Sequence, residues 1–168
     1  MNLKSILIGI DGLKAKGNLD LDISSVECDY RTVKQGSLFV AIKGFEIDGH
    51  TFIGKAIEKG AKAIIFEEGA NYKDFIGNKD VTFIMAPNTR FALSICSCNF
   101  YDNPSKKMKV IGITGTKGKT TTSFMIKEIL EKQGKKVGLI GTIAVYIGDK
   151  KVKNSDRTTP ESNKLQEI

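Results

Sequence analysis

The sequence predicts an α/β protein in two parts. A small N-terminal α/β domain covers residues 1–105, and the first part of a phosphate-loop domain with a parallel sheet covers 106–168. Three observations carry this reading. Short apolar runs of strand length alternate with helical stripes between Ile23 and Phe100. From Val110 a short apolar run, a Gly-rich turn and a helical pattern follow one another, the order a phosphate cradle requires. Between the two parts Asn103-Pro104-Ser105 breaks the chain, with lysines after it.

Each element has its own signal. Residues 1–16 suggest a short helix with a weak apolar face, and Ile23–Cys28 a strand. Tyr30–Gly36 reads as a turn, Ser37–Ile42 as a strand and Lys43–Gly49 as a Gly/Asp-rich loop. Phe52, Ile53, Ala56 and Ile57 form a helical stripe over Thr51–Lys59, which Gly60 stops. Ala61–Phe66 and Val81–Ala86 are strands, and Phe91, Ala92, Ile95 and Cys96 mark a helix over Thr89–Phe100. In the second part, Val110–Ile113 reads as a buried strand and Lys119–Gln133 as a helix ended by Gly134. Val137–Thr142 is the next strand, so the motif sits in a βαβ unit, and a hairpin is expected around Gly148-Asp149. Thr159-Pro160-Glu161 has the form of an N-cap followed by Pro at the first helical position. These elements are too few to bury a parallel sheet, which predicts a stretch of a longer protein.

The chemistry concentrates in the loop. Gly115 and Gly118 let backbone approach an anion, and the N–H groups of the loop and helix start point at it. Lys119 can reach the outer phosphates, and the Thr120 hydroxyl can ligate Mg²⁺. The common pattern G-x-x-x-x-G-K-[ST] is not met, because Ile113 stands where its first glycine belongs. The alternative is a Gly-rich strand-to-helix turn with an exposed lysine.

Composition narrows the function classes. Hydrophobic content of 40% is enough for a packed core. The net charge of +7 comes from 26 basic and 19 acidic residues. The lysines are scattered, aromatics are few and no nucleic-acid motif accompanies them, which argues against nucleic-acid binding. Cys28, Cys96 and Cys98 make an odd count and hence no closed disulfide framework. Cys96 and Cys98 point to different faces of a helix and make a poor metal pair. Buried or neutral thiols in a reducing cytoplasm are expected. The run Ile6–Ile10 is too short for a leader or a span, so membrane insertion is not expected. His50, the one histidine, reads as a surface or N-cap residue rather than a base, and Asp29 and Arg31 as a mutual pair.

Gly112-Ile-Thr-Gly-Thr-Lys-Gly-Lys-Thr-Thr-Thr122 resembles the ATP loop of the Mur ligases, the amide-forming enzymes of peptidoglycan synthesis. Asp29-Tyr30-Arg31 through Lys-Gly44, Asp48-Gly49-His50 and Ala56–Ala61 are similar to that family's UDP-binding domain. Gly138–Thr142 with Arg157-Thr158-Thr159-Pro160-Glu161-Ser162 is similar to its MurE branch. The resemblance implies a UDP-substrate domain joined to the start of a P-loop ATPase domain, a monomer with ATP and Mg²⁺ as cofactors. It implies that ATP phosphorylates the free carboxylate of UDP-MurNAc-L-Ala-D-Glu and that the amine of a diamino acid, meso-diaminopimelate or L-lysine, attacks the acyl phosphate. Gly115, Thr116, Lys117, Gly118, Lys119, Thr120 and Thr121 would bind ATP, Lys119 would be catalytic and Thr120 would hold the metal. Tyr30, Thr158 and Thr159 would contact the UDP-sugar-peptide, with Phe45-Glu46-Ile47 beside the nucleotide. Two positions depart from the family: Lys117 replaces the usual Asn, and Tyr30 replaces a Ser. Other ligases of the superfamily, such as MurF, and a non-catalytic nucleotide-binding module are the competing readings.

Overall fold

The computed structural model describes residues 1–44, 47–69, 78–155 and 157–168. The chain divides into two compact units, Met1–Pro104 with Gln166–Ile168, and Ser105–Leu165.

The first unit contains helix α1 (Leu3–Ile6) and strands β1 (Lys14–Lys16), β2 (Val26–Glu27) and β3 (Leu38–Val40). Helix α2 (Ile53–Glu58), strands β4 (Ala63–Glu67) and β5 (Thr82–Ala86) and helix α3 (Thr89–Phe100) complete it. The sheet order is β1-β5-β4-β3-β2, parallel from β2 to β5, with β1 antiparallel on the edge. Period-two alternation in the central strands explains the layering. Leu38, Val40, Ala63, Ile65, Ile84 and Ala86 face one core with Leu3, Ile6, Leu93 and Cys96. Phe39, Ala41, Ile64, Phe66 and Phe83 face the other, with Ile53 and Ala56 of α2. A parallel sheet covered on both faces follows from strands buried at nearly every position.

The sequence reading of residues 1–16 as a helix is corrected. Only Leu3–Ile6 is helical, and Lys14–Lys16 pairs with β5. The strand has exposed side chains throughout, so no periodicity announces it; backbone pairing to an open sheet edge creates it. His50 is also corrected. It is only 7% exposed, and Asp48 is the cap, accepting from the His50 backbone N–H. The Glu67 amide donates to Nε2 at 3.1 Å. Nε2 is therefore an acceptor, which leaves the proton on Nδ1 to donate to Asp48 Oδ1 at 2.5 Å. The three cysteines are free. Burial in α3 pushes the Cys96 thiol up to about 12.

The second unit holds helix α4 (Lys119–Lys132), strands β6 (Gly138–Ile140), β7 (Ala144–Ile147) and β8 (Lys150–Asn154), and the greater part of helix α5 (Ser162–Glu167). The expected hairpin forms, with Gly148-Asp149 between β7 and β8. Phe124 of α4 meets Tyr146 of β7 edge-to-face at 5.5 Å. Lys127, buried on α4, bonds Glu131 at 2.5 Å and approaches Asp149 at 3.7 Å, tying the helix to the hairpin turn. The Glu131 bond raises the Lys127 pKa.

Two expectations fail in this unit. Val110–Ile113 forms no strand, and Val110 and Ile111 are 67% and 51% exposed. Its apolar pattern finds no strand to pair with among the described residues, so the ladder and the βαβ unit do not form. Strands β6, β7 and β8 instead pair antiparallel with one another. The α/β class holds, with its parallel arrangement in the first unit. Helix α5 begins at Ser162, two residues beyond the expected Pro160. Glu161 is the residue that enters the helix, its carbonyl accepting from Leu165, while an Arg157–Glu161 ion pair at 2.8 Å closes the bend before it.

Candidate functional site

The Gly-rich loop expected to hold phosphate stands at the head of α4. Gly118 is the residue before the helix, at φ +80°, and Gly115 lies at φ +151°. Both conformations favour glycine. A Cβ built on Gly118 would meet nothing within 4 Å, and one on Gly115 only the Lys117 carbonyl at 3.5 Å. Left-handed backbone, rather than crowding, therefore demands glycine at these two positions. The first-turn amides of Lys119, Thr120 and Thr121 have no intrahelical acceptor and face outward along the helix axis. Lys119 Nζ donates to the Gly115 carbonyl at 2.6 Å, so its ammonium lies across the loop it is expected to serve. Thr116, Lys117 and Thr121 are exposed. Thr120 is half-buried, and its carbonyl accepts from Ser123 Oγ at 2.8 Å. The Thr120 hydroxyl is a hard oxygen donor suited to Mg²⁺. Among the described residues no cluster of three His, Cys, Asp or Glu side chains could hold a metal.

At the end of β6, the Thr142 and Thr158 hydroxyls lie 3.1 Å apart. Thr158 and Thr159 are both exposed.

The first unit carries a cavity of about 350 Å³ lined by Ile42, Lys43, Gly44, Glu67, Asn88 and Arg90. It lies where β3, β4 and β5 end, the carboxyl edge at which open parallel sheets bind ligands. Its walls are tied together. Glu67 Oε1 accepts from the Thr89 amide at 3.0 Å and the Thr89 hydroxyl at 3.2 Å. Asn88 caps α3 by accepting from Phe91 N–H at 2.9 Å. His50 fixes the Glu67 backbone, and Gly49 donates to the Ile42 carbonyl at 2.9 Å. Ile42, Lys43 and Gly44 close the segment quoted for the family's UDP-binding domain, whereas Glu67, Asn88 and Arg90 belong to no quoted motif. Strand ends followed by Lys43, Glu67 and Arg90 were the available signal.

Tyr30 is not among the lining residues. Its ring stacks on Phe52 at 4.5 Å and 18°, with Lys55 Nζ 5.3 Å from its centroid. Asp29 and Arg31 pair as expected, at 2.6 Å. Arg31 holds the Asp29 carboxyl below its ordinary range. Phe45 and Glu46 lie outside the described residues, while Ile47 is exposed.

Two family models match this chain: "Mur ligase family, catalytic domain" over residues 22–101 and "Mur ligase middle domain" over residues 113–168. The chain belongs to the Mur ligase family. Among its relatives, the Clostridium perfringens protein named UDP-N-acetylmuramoyl-L-alanyl-D-glutamate–2,6-diaminopimelate ligase is 51% identical over all 168 residues. The Clostridium tetani protein of the same name is 48% identical over the same span. The chain spans about a third, 34%, of the length of each of these curated relatives. A solved structure of a ligase of that name shares the fold with a TM-score of 0.67 at 22% identity, covering 99% of this chain and 32% of that one. MurF from Acinetobacter baumannii aligns with a TM-score of 0.51 at 28% identity, over 67% of this chain and 23% of that one.

Proposed function

We propose that the protein to which this chain belongs is a MurE-type ligase. In this reading it uses ATP and Mg²⁺ to join a diamino acid to UDP-MurNAc-L-Ala-D-Glu, acting as a cytoplasmic monomer. Residues 1–105 serve as the UDP-substrate domain and 106–168 begin the ATP-binding domain. The single observation carrying this is the 51% identity along the whole chain to the C. perfringens ligase. The names of the relatives favour 2,6-diaminopimelate over L-lysine as the amine.

The residues then divide the work. ATP, with its metal ion, supplies the phosphoryl group that turns an unreactive carboxylate into an acyl donor. Gly115–Thr121 surround the phosphates with backbone N–H groups. Lys119 exchanges the Gly115 carbonyl for phosphate oxygen and offsets negative charge where it develops. Thr120 offers its hydroxyl to the metal. The cavity between Lys43, Glu67, Asn88 and Arg90 takes the uridine diphosphate part, its two cations facing the phosphates. Tyr30, stacked on Phe52 outside the cavity lining, takes the place of the family's serine and contacts the substrate's uridine-bearing end from that position. Thr158 and Thr159 hold the muramyl-peptide.

The test uses the complete protein. Lys119→Ala should lower kcat for ADP formation by roughly 100-fold or more while the Kd for UDP-MurNAc-dipeptide stays unchanged. Unchanged turnover would remove Lys119 from catalysis. Offering dipeptide and tripeptide substrates side by side separates the MurE reading from the MurF one, since only MurE extends the dipeptide.

A further inference from the structure

We propose that Thr142 is a positioning residue for the sugar-peptide substrate, acting through the hydroxyl of Thr158. The inference rests on the reading that Thr158 touches that substrate, and goes beyond it by assigning a role to Thr142, which was not among the expected site residues.

Thr142 follows β6 in the bend that leads to β7. Its Oγ1 meets Thr158 Oγ1 at 3.1 Å across sixteen residues of sequence. Both residues are exposed, so each hydroxyl could bond water instead. A direct bond between them requires that the backbone hold both in register. It does so nearby: the Ser155 amide donates to the Ile143 carbonyl at 3.4 Å, closing the segment after β8 onto the bend that carries Thr142. The Arg157–Glu161 pair at 2.8 Å braces the other side of Thr158.

Both side chains are β-branched and stiff at χ1, so the bond selects one direction for each hydroxyl. Proton counting gives the consequence. Two hydroxyls bring two O–H donors, and their mutual bond uses one. One O–H and free lone pairs remain, a donor and an acceptor in fixed positions. The pair carries no charge, and the neighbouring Arg157 is engaged by Glu161. That chemistry suits a neutral hydroxyl or amide of the sugar-peptide rather than its phosphates.

The experiment compares Thr142→Val, Thr142→Ser, Thr158→Val and the Thr142→Val/Thr158→Val double variant in the complete enzyme, with Tm as a folding control. Thr142→Val should raise KM for UDP-MurNAc-dipeptide about twofold to tenfold, the worth of one hydrogen bond, with KM for ATP unchanged. Thr142→Ser should restore the original value. The double variant should be no worse than Thr158→Val alone, because Thr142 acts through Thr158. If Thr158→Val impairs KM but Thr142→Val does not, or if the two effects multiply, the proposal is overturned and the reading of Thr158 stands. If Thr158→Val itself leaves KM unchanged, the reading of Thr158 fails and the proposal falls with it.

Discussion

Asp29 accepts from the Arg31 backbone amide at 2.9 Å and from its guanidinium at 2.6–3.0 Å, so one carboxylate both starts a helical turn and holds a cation. The Arg31 hydrogen bonds push its pKa below the ordinary 3.8 against a smaller opposing effect of burial. Asp48 is also lowered: burial works against the charged form, and the bonds from His50 outweigh it. A depressed carboxylate stabilises the fold above its unfolded pKa, and that stability disappears as pH falls through the lower folded value. Unfolding free energy of the chain should therefore be flat near neutrality and fall below about pH 4, where unfolded aspartates begin to protonate. Asp29→Asn should shrink the acid-induced loss, as read from urea titrations at a series of pH values; an unchanged acid limb would refute the role of Asp29. The Asp29–Arg31 pairing was legible because opposite charges two residues apart in a tight turn have few other partners. The burial of His50 was not, since its partner amide belongs to Glu67, on a strand seventeen residues away.

At the scale of elements, helix α3 is secured at its start by two different side chains. Asn88 satisfies the Phe91 amide and Glu67 the Thr89 amide, so a strand end and a loop residue share the capping. Asn88→Ala should cost about 1 kcal/mol, seen as a lower urea midpoint with an unchanged slope. The sequence announced α3 and α4 well, because each has a stripe at helical spacing and a terminator. It announced Val110–Ile113 less well. A run of apolar residues states a preference for burial, but a strand exists only when another strand lies alongside. Edge strand β1 is the converse case, with no pattern of its own and a partner waiting in β5.

For the whole molecule, the parallel sheet brings to one edge residues that lie far apart in the chain. Lys43, Glu67 and Arg90 follow different strands, yet line one cavity of about 350 Å³. Local motifs pointed to the Gly-rich loop before α4 because its residues are contiguous in sequence. They left the cavity unseen because strand order, and not spacing, assembles it. The contact of Thr142 with Thr158 stayed hidden for the same reason: the two lie sixteen residues apart and come near only when the strands and the segment after β8 are in place.

The buried thiol of α3 offers a clock for how often this sheet opens. Thiolate is the species that attacks a disulfide reagent, and Cys96, pushed up to about 12 and fully enclosed, supplies almost none at neutral pH. Cys28 and Cys98 are partly exposed. With an excess of an aromatic disulfide, two thiols should react promptly and the third only when α3 lifts from the strands beneath it. The slow rate should climb steeply with urea, and its ratio to the rate of the unfolded chain gives the population of the open state. Three equally fast thiols would show that the packing over Cys96 opens freely. Whether uridine-bearing ligands slow that third thiol then becomes a readout of binding at the opposite end of the same helix, obtained without any catalysis.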